Sequence, residues 1–224
     1  MPSYPIRQRR RSLGGCEGIC LSDRIKTITN MFTYLKEDIK RYNRGRVGIG
    51  KAIQFFFDPR TQPVVLYRLS NFFYRKGLGF LGRVFQFVNL FLYGCWISMK
   101  TEIGRGLLIR HGWGIGIGCR KIGENFTVFP HVFIGTKTGE PGDLEEQDVP
   151  VIGDNVTIYV GSKVFGNIHV GNNAVVGAST LVLSDVPPGA VVAGIPAKIV
   201  KRREETSGKS SRRPKKAAKN RRTG

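Results

Sequence analysis

Cysteine and histidine are both scarce in this chain of 224 residues, which has four Cys (Cys16, Cys20, Cys95, Cys119) and three His (His111, His131, His169). The cysteines show neither the paired spacing of a zinc site nor the density of a disulfide scaffold, and so fit a reducing compartment. No run reaches the roughly 20 clean apolar residues that a membrane-spanning helix requires. The most apolar stretch, Phe80 to Met99, contains Arg83, Gln86 and Asn89 and is interrupted by Gly82 and Gly94. The N-terminus does not read as a secretory leader, because Arg7, Arg9, Arg10 and Arg11 are followed by Gly14-Gly15-Cys16-Glu17 rather than an apolar core.

Acidic residues are also few, 16 against 36 Lys+Arg, for a net charge of +20. The four N-terminal arginines and the last 24 residues, with eleven Lys+Arg and two Glu, hold +13 of it. Residues 13–200 are left with about +7, which weakens a reading of the folded surface as a nucleic-acid platform. The basic run from Arg212 to Arg222 contains no aromatics, so it offers charge without base stacking. A solvated or membrane-surface tail is expected, and nucleic acid is not expected as a partner.

What the chain does have is glycine, 29 residues, roughly twice the usual frequency. From Ile103 onward the reason is visible. Aliphatic residues fall at Ile103, Ile109 and Ile115, then one residue out of step at Ile122, Val128 and Ile134. The series resumes at Ile152, Ile158, Val164, Val170, Val176 and Val182. Glycine follows the aliphatic at positions 104, 123, 135, 153, 171 and 177. A sustained period of six with a small residue after the aliphatic is the pattern of a hexapeptide-repeat parallel β-helix. Three six-residue sides close a coil of 18, the inward aliphatics stack, and Gly or Asn (Asn155, Asn167, Asn172, Asn173) turns the corners. About four coils are expected.

Between Ile134 and Ile152 the frame falls on Glu140 and Glu146, and a charged side chain does not enter such a stack unpaired. Residues 136–150 therefore read as an excursion loop. Val186-Pro187-Pro188-Gly189 ends the repeat, and Ala190 to Val200 reads as a final strand or cap. Before the repeat, Ile25, Ile28, Phe32, Leu35 and Ile39 mark a helix over Leu21 to Asn43, which Gly45, Gly48 and Gly50 end. Pro63 opens a second helix, Val64 to Arg75, with Val65, Leu66, Leu69, Phe72 and Phe73 on its apolar face. Phe80 to Met99 reads as a buried helix, packed in an oligomer or on its own domain, with peripheral membrane contact as the alternative. The layout is a basic segment at 1–20, a helical region at 21–99, a β-helix domain at 100–200 and a basic tail at 201–224.

With so few histidines, the search for a general base is short. His111 opens Gly112-Trp113-Gly114 just before the frame slips, and a break in register re-aims a side chain. His131, in Phe129-Pro130-His131-Val132, is a turn position one coil on and is expected close to the excursion loop. His169 lies in an unbroken repeat and reads as an exposed corner residue.

Several runs together resemble a known family: Ile103-Gly104-Arg105-Gly106 through Ile109-Arg110-His111-Gly112, Phe133-Ile134-Gly135-Thr136-Lys137, Pro150-Val151-Ile152-Gly153-Asp154-Asn155, Asp185-Val186-Pro187-Pro188-Gly189-Ala190, and Val192-Ala193-Gly194-Ile195-Pro196-Ala197-Lys198. They resemble the serine O-acetyltransferases, and most of all the relatives that acetylate sugars in polysaccharide biosynthesis, over roughly residues 63–200. The resemblance implies a left-handed parallel β-helix, a homotrimer with sites between neighbouring prisms, and acetyl-CoA as co-substrate without a metal. It makes His111 the base on an acceptor hydroxyl, with His131 as a second candidate. It places CoA along Gly161, Ala178 and Ser179, with Gly194, Pro196, Ala197 and Lys198 at the nucleotide end.

Three acceptor-side positions depart from the family. The Asp that orients the base is Trp96, the Asp before the base is Arg110, and the His before the Pro of the loop is Val149. A sugar hydroxyl is therefore the expected acceptor, with Glu102, Glu124, Asp143, Glu145, Glu146 or Asp148 as candidates to hold the imidazole. The alternatives are a serine acetyltransferase of cysteine synthesis and a non-catalytic β-helix scaffold. The expected location is cytoplasmic, at the inner face of the membrane if the apolar segment touches it.

Overall fold

The computed structural model describes residues 21–46, 48–137 and 148–202. Among the described residues, four helices precede a parallel β-helix: α1 (Leu21–Tyr42), α2 (Ile49–Phe57), α3 (Gln62–Arg75) and α4 (Gly79–Tyr93). The β-helix has three faces. The first carries Cys95–Ile97, Ile115–Ile117, Phe133–Gly135, Lys163–Phe165 and Leu181–Val182. The second carries Glu102–Ile103, Lys121–Ile122, Val151–Ile152 and His169–Val170. The third carries Leu108–Ile109, Thr127–Val128, Thr157–Ile158, Val175–Val176 and Ala190–Ala193, closed by the antiparallel Lys198–Arg202. Five strands on the first face make about five coils, one more than the repeat count suggests.

The expected aliphatic columns are present. On the second face Ile103, Ile122, Ile152 and Val170 pair in register, and on the third Ile109, Val128, Ile158, Val176 and Val192 do. All nine are buried, each contributing about 1.5–3 kcal/mol. The first face differs from expectation at one place. Ile115 pairs with Cys95, and Ile117, not Ile115, enters the column of Ile97, Ile134, Val164 and Val182. Because Ile109 pairs with Val128 while Ile117 pairs with Ile134, the passage holding His111 is two residues longer than the one below it. The following side, Ile117 to Ile122, is one residue short, and the two deviations together produce the apparent slip of one. Glycine after the aliphatic answers a steric need: a Cβ on Gly104 would come within 2.8 Å of the Gly123 backbone.

Helices α1 and α3 seal the first coil through a buried ion pair. Arg68 of α3 reaches Asp38 of α1 at 2.9 and 3.2 Å and donates to the carbonyls of Ile103 and Gly104, each at 2.7 Å. Asp38 also accepts the Leu107 amide at 2.7 Å. Burial pushes the Asp38 carboxyl up, while Arg68 and the Leu107 amide oppose it; three N–H donors on its oxygens describe a carboxylate. Arg41 adds bonds to the carbonyl of Phe126 at 2.9 Å and the hydroxyl of Thr127 at 2.7 Å. Tyr67 donates to the carbonyl of Thr101 at 2.8 Å.

The helical faces differ from the apolar periodicity for this reason. α3 buries Val64, Val65, Tyr67 and Arg68, so its inner face includes a charge, and Phe32 of α1 is exposed while Leu35 and Ile39 are buried. α2, built across Gly50, has no counterpart in the sequence reading, which ends the first helix there. The apolar stretch after Gly79 is helical only to Tyr93; Gly94, at φ 56°, turns the chain into the strand Cys95–Ile97. Much of α4 is exposed rather than buried. Replacing Arg68 with Leu strands the Asp38 carboxylate in the core, and should cost about 3–5 kcal/mol. The expected readout is a lowered urea midpoint at unchanged slope; an unchanged midpoint would refute the joint's role.

Candidate active site

The inward positions of a β-helix are taken by stacked aliphatics, which leaves the outward strand positions and the corners to present varied side chains. The corner joining the third face to the first contains the sequence-predicted residues in one column. In successive coils it holds His111 to Gly114, then His131, Gly161, Ala178 with Ser179, and Gly194 to Ala197. Backbone bonds tie the levels together: the His131 amide to Trp113 at 3.1 Å, Gly161 to Pro130 at 3.0 Å, Ser179 to Val160 at 2.8 Å and Ala197 to Leu181 at 2.8 Å. At the usual strand spacing the column is roughly 20 Å long. Lys198 begins the closing antiparallel strand and is exposed.

Left-handed backbone angles recur along this column, at His111 (φ 67°), Gly114 (68°), His131 (57°), Gly161 (74°), Ser179 (53°) and Gly194 (102°). Glycine adopts them freely, but a histidine does so at a cost that the surrounding structure must offset. Two histidines are held this way, one coil apart and both exposed, which makes this corner the candidate site. The two-residue extension lets the chain at His111 leave the regular wall. Gly112 then rests on Pro63 of α3, where a Cβ would come within 2.8 Å of the proline ring. The ring of His131 covers Gly114, and Phe129 stacks on Tyr159 at 4.8 Å between centroids.

Two candidate partners of the imidazole, Glu102 and Glu124, lie elsewhere. His131 precedes the strand Phe133–Gly135 and the loop leaves from its far end; most of the loop lies outside the described residues, so its expected nearness to His131 does too. Glu102 is engaged by Arg75 and Glu124 by Arg105, each at 2.8 Å, and neither carboxylate lies on this corner. Asp143, Glu145 and Glu146 fall outside the described residues, and Asp148 is at the loop's return to the second face. Among the described residues no carboxylate hydrogen-bonds to His111. His169 stands apart from the column, its amide bonded to Asp185 at 2.7 Å.

A cluster that the sequence reading missed adjoins Arg110. Tyr42 donates to Asp58 at 2.7 Å, and Arg60 grips the same carboxylate at 2.7 and 3.0 Å. The Arg60 bonds hold the Asp58 carboxyl well below the usual range against the opposing effect of burial. Burial and then Asp58 push the Tyr42 phenol up, and the charge of Arg110 acts on it in the opposite sense. The available signal was that Asp58 is the sole acidic residue between Asp38 and Glu102. The thiols are inert by comparison: burial pushes Cys95 up to about 12, and raises Cys119 as well. Among the described residues no group of three His, Cys, Asp or Glu is arranged to hold a metal.

Comparison with known proteins supplies the family. The chain is 33% identical over 143 residues to a serine acetyltransferase of Helicobacter pylori, covering 63% of this chain and 81% of that protein. The chain belongs to the serine acetyltransferase family. A serine acetyltransferase of Bacillus pumilus is 40% identical over 136 residues, 60% of each chain, so the chain spans about three fifths of that relative's length. No family model matches. Among solved structures, the serine acetyltransferase of Neisseria gonorrhoeae in complex with serine superposes with a TM-score of 0.66 at 27% identity, covering 79% of this chain and 72% of that one. A serine acetyltransferase complex with CoA, at 22% identity and a TM-score of 0.67 over 80% of this chain and 73% of that one, shares the fold. The expected nearness to sugar-modifying relatives finds no support among these serine acetyltransferases.

In this family member the Asp58 cluster makes a testable contribution to stability. A carboxyl with a depressed folded value stabilises the fold above the unfolded value, near pH 4, and that stability is lost as pH falls further. Urea midpoints taken from neutral pH downward should show a steep acid limb that Asp58→Asn flattens. Parallel limbs in the two proteins would contradict the assignment.

Proposed function

We propose that the chain transfers an acetyl group from acetyl-CoA to an acceptor hydroxyl, with His111 as general base. The observation that carries this reading is the two-residue enlargement that presents His111, exposed and left-handed, at the head of the corner column. An alcohol is barely ionised at neutral pH, so a base within reach is needed. The imidazole accepts the hydroxyl proton as the oxygen attacks the thioester carbonyl; the tetrahedral intermediate then expels the CoA sulfur, which takes the proton as the C–S bond breaks. Neither step calls for a metal.

CoA is assigned to the groove along the column, its pantetheine beside Gly161, Ala178 and Ser179, where small residues allow close approach. The turn at Gly194, Pro196 and Ala197 lies beyond them, and Lys198 supplies positive charge for phosphate. The homotrimer implied by the resemblance would add a neighbouring prism to that groove. Buried free thiols suit a cytoplasmic setting.

L-serine is the acceptor favoured by the family's names. A sugar or glycan hydroxyl is the second reading, favoured by Trp96 and Arg110, which put an indole and a cation where a small zwitterion would need carboxylates. Purified protein given acetyl-CoA should release CoA with L-serine or with members of a sugar panel, and the responding acceptor decides between the two. His111→Ala should lower kcat/KM by about 10²- to 10⁴-fold with CoA binding retained. If His131→Ala alone has that effect, the base is His131; if no acceptor elicits release and CoA does not bind, the chain is a scaffold.

A further inference from the structure

The largest feature that acetyl transfer leaves unexplained is the outer surface of the helical region. On α4, Phe80, Val84, Phe87 and Phe91 follow one another at i, i+4, i+7 and i+11, and are 80%, 40%, 62% and 88% exposed. Leu81, Leu90 and Leu92 extend this surface. The helix is held from the other side, where Gly82 and Asn89 are buried on α3 and Phe85 stacks on Phe73 at 5.4 Å. α2 repeats the arrangement with Ile49, Ile53 and Phe57 exposed and Phe55 buried. Both helices meet the start of α3: Asn89 donates to the carbonyl of Pro63 at 3.1 Å, and Gln62 donates to the carbonyl of Phe56.

Charge is distributed to match. Residues 21–99 hold thirteen Lys+Arg and four Asp+Glu, and two of those acids, Asp38 and Asp58, are already paired with Arg68 and Arg60. Residues 100–200 hold eight Lys+Arg and nine Asp+Glu. The folded part therefore has a basic helical half with an apolar outer face and a nearly neutral β-helix. A second copy would bring the same positive charge to this face and be repelled, whereas an anionic lipid surface attracts it. No helix among the described residues is long and apolar enough to cross a membrane, so contact would be in the interfacial plane.

We propose that α2 and α4 dock the protein on an anionic phospholipid bilayer, with Phe80, Phe87 and Phe91 entering the boundary between headgroups and acyl chains and the basic residues of the helical region meeting lipid phosphates. Aromatic and aliphatic side chains on one face of a helical region with net positive charge suit this position. The inference is independent of which hydroxyl is acetylated.

Cosedimentation of the full chain with vesicles of mixed phosphatidylglycerol and phosphatidylcholine tests it, with phosphatidylcholine alone as control. Binding is expected to the mixed vesicles, to weaken with added salt, and to be at least about tenfold weaker without the anionic lipid. Phe80→Ser/Phe87→Ser/Phe91→Ser should reduce binding about tenfold or more while acetyl transfer and oligomeric state stay unchanged. If the triple variant folds poorly, Phe91→Ser alone replaces a side chain that is almost fully exposed and should still weaken binding. Absence of vesicle binding overturns the proposal. So does binding that persists in these variants but disappears when residues 204–224 are removed, or an assembly that the variants split while vesicle binding is untouched.

Discussion

Each side of the β-helix is allowed six residues, one of which must point inward as an aliphatic and stack on the equivalent residue of the next coil. That constraint governs the rest of the molecule. It sets the register of all three faces, demands glycine where successive coils nearly touch, as at Gly104 over Gly123, and leaves the outward positions and the corners free to vary. Chemistry must therefore be sought where the chain departs from six. Apart from the excursion after Gly135, it departs most at His111, where the side has two additional residues and the histidine adopts a left-handed conformation.

A stack of coils has an open first end, and the Asp38–Arg68 pair closes it. The pair links α1 to α3 and both to the backbone of the first coil through the Ile103 and Gly104 carbonyls and the Leu107 amide. Buried charge of this kind adds little net stability compared with an apolar contact, but breaking it is expensive, so it fixes how the helices sit. The same docking brings Pro63 against Gly112 and places Tyr42, the hydrogen-bond partner of Asp58, within range of the Arg110 charge. The surroundings of the proposed base are thus built partly by helices and partly by the β-helix, while the residues proposed for CoA belong to the β-helix alone.

The β-helix was legible because its pattern is local: a period of six, glycine after the aliphatic, and Glu140 and Glu146 breaking the frame all follow from steric and desolvation rules that act within one coil. The corner column of His111, His131, Gly161, Ser179 and Gly194 was recovered residue by residue through resemblance, although periodicity alone does not show that these positions share one edge. The helical region was read less well. Val65, Leu66, Leu69, Phe72 and Phe73 make a plausible apolar face, yet α3 turns Tyr67 and Arg68 inward, because the open coil end offers carbonyls and the Asp38 carboxylate rather than an apolar surface.

Sequence alone determined the repeat and most of its columns, since stacking of neighbouring coils depends only on spacing along the chain, and resemblance named the candidate base. Tertiary structure decided what lies around that base. It showed that Ile117 and not Ile115 joins the column, that Glu102 and Glu124 are spent on arginines elsewhere, and that Tyr42, hydrogen-bonded to Asp58, comes within range of the Arg110 charge. It also showed that the apolar residues of α4 face outward. Those outcomes depend on which surfaces meet when the helices dock, and no short-range periodicity encodes that meeting.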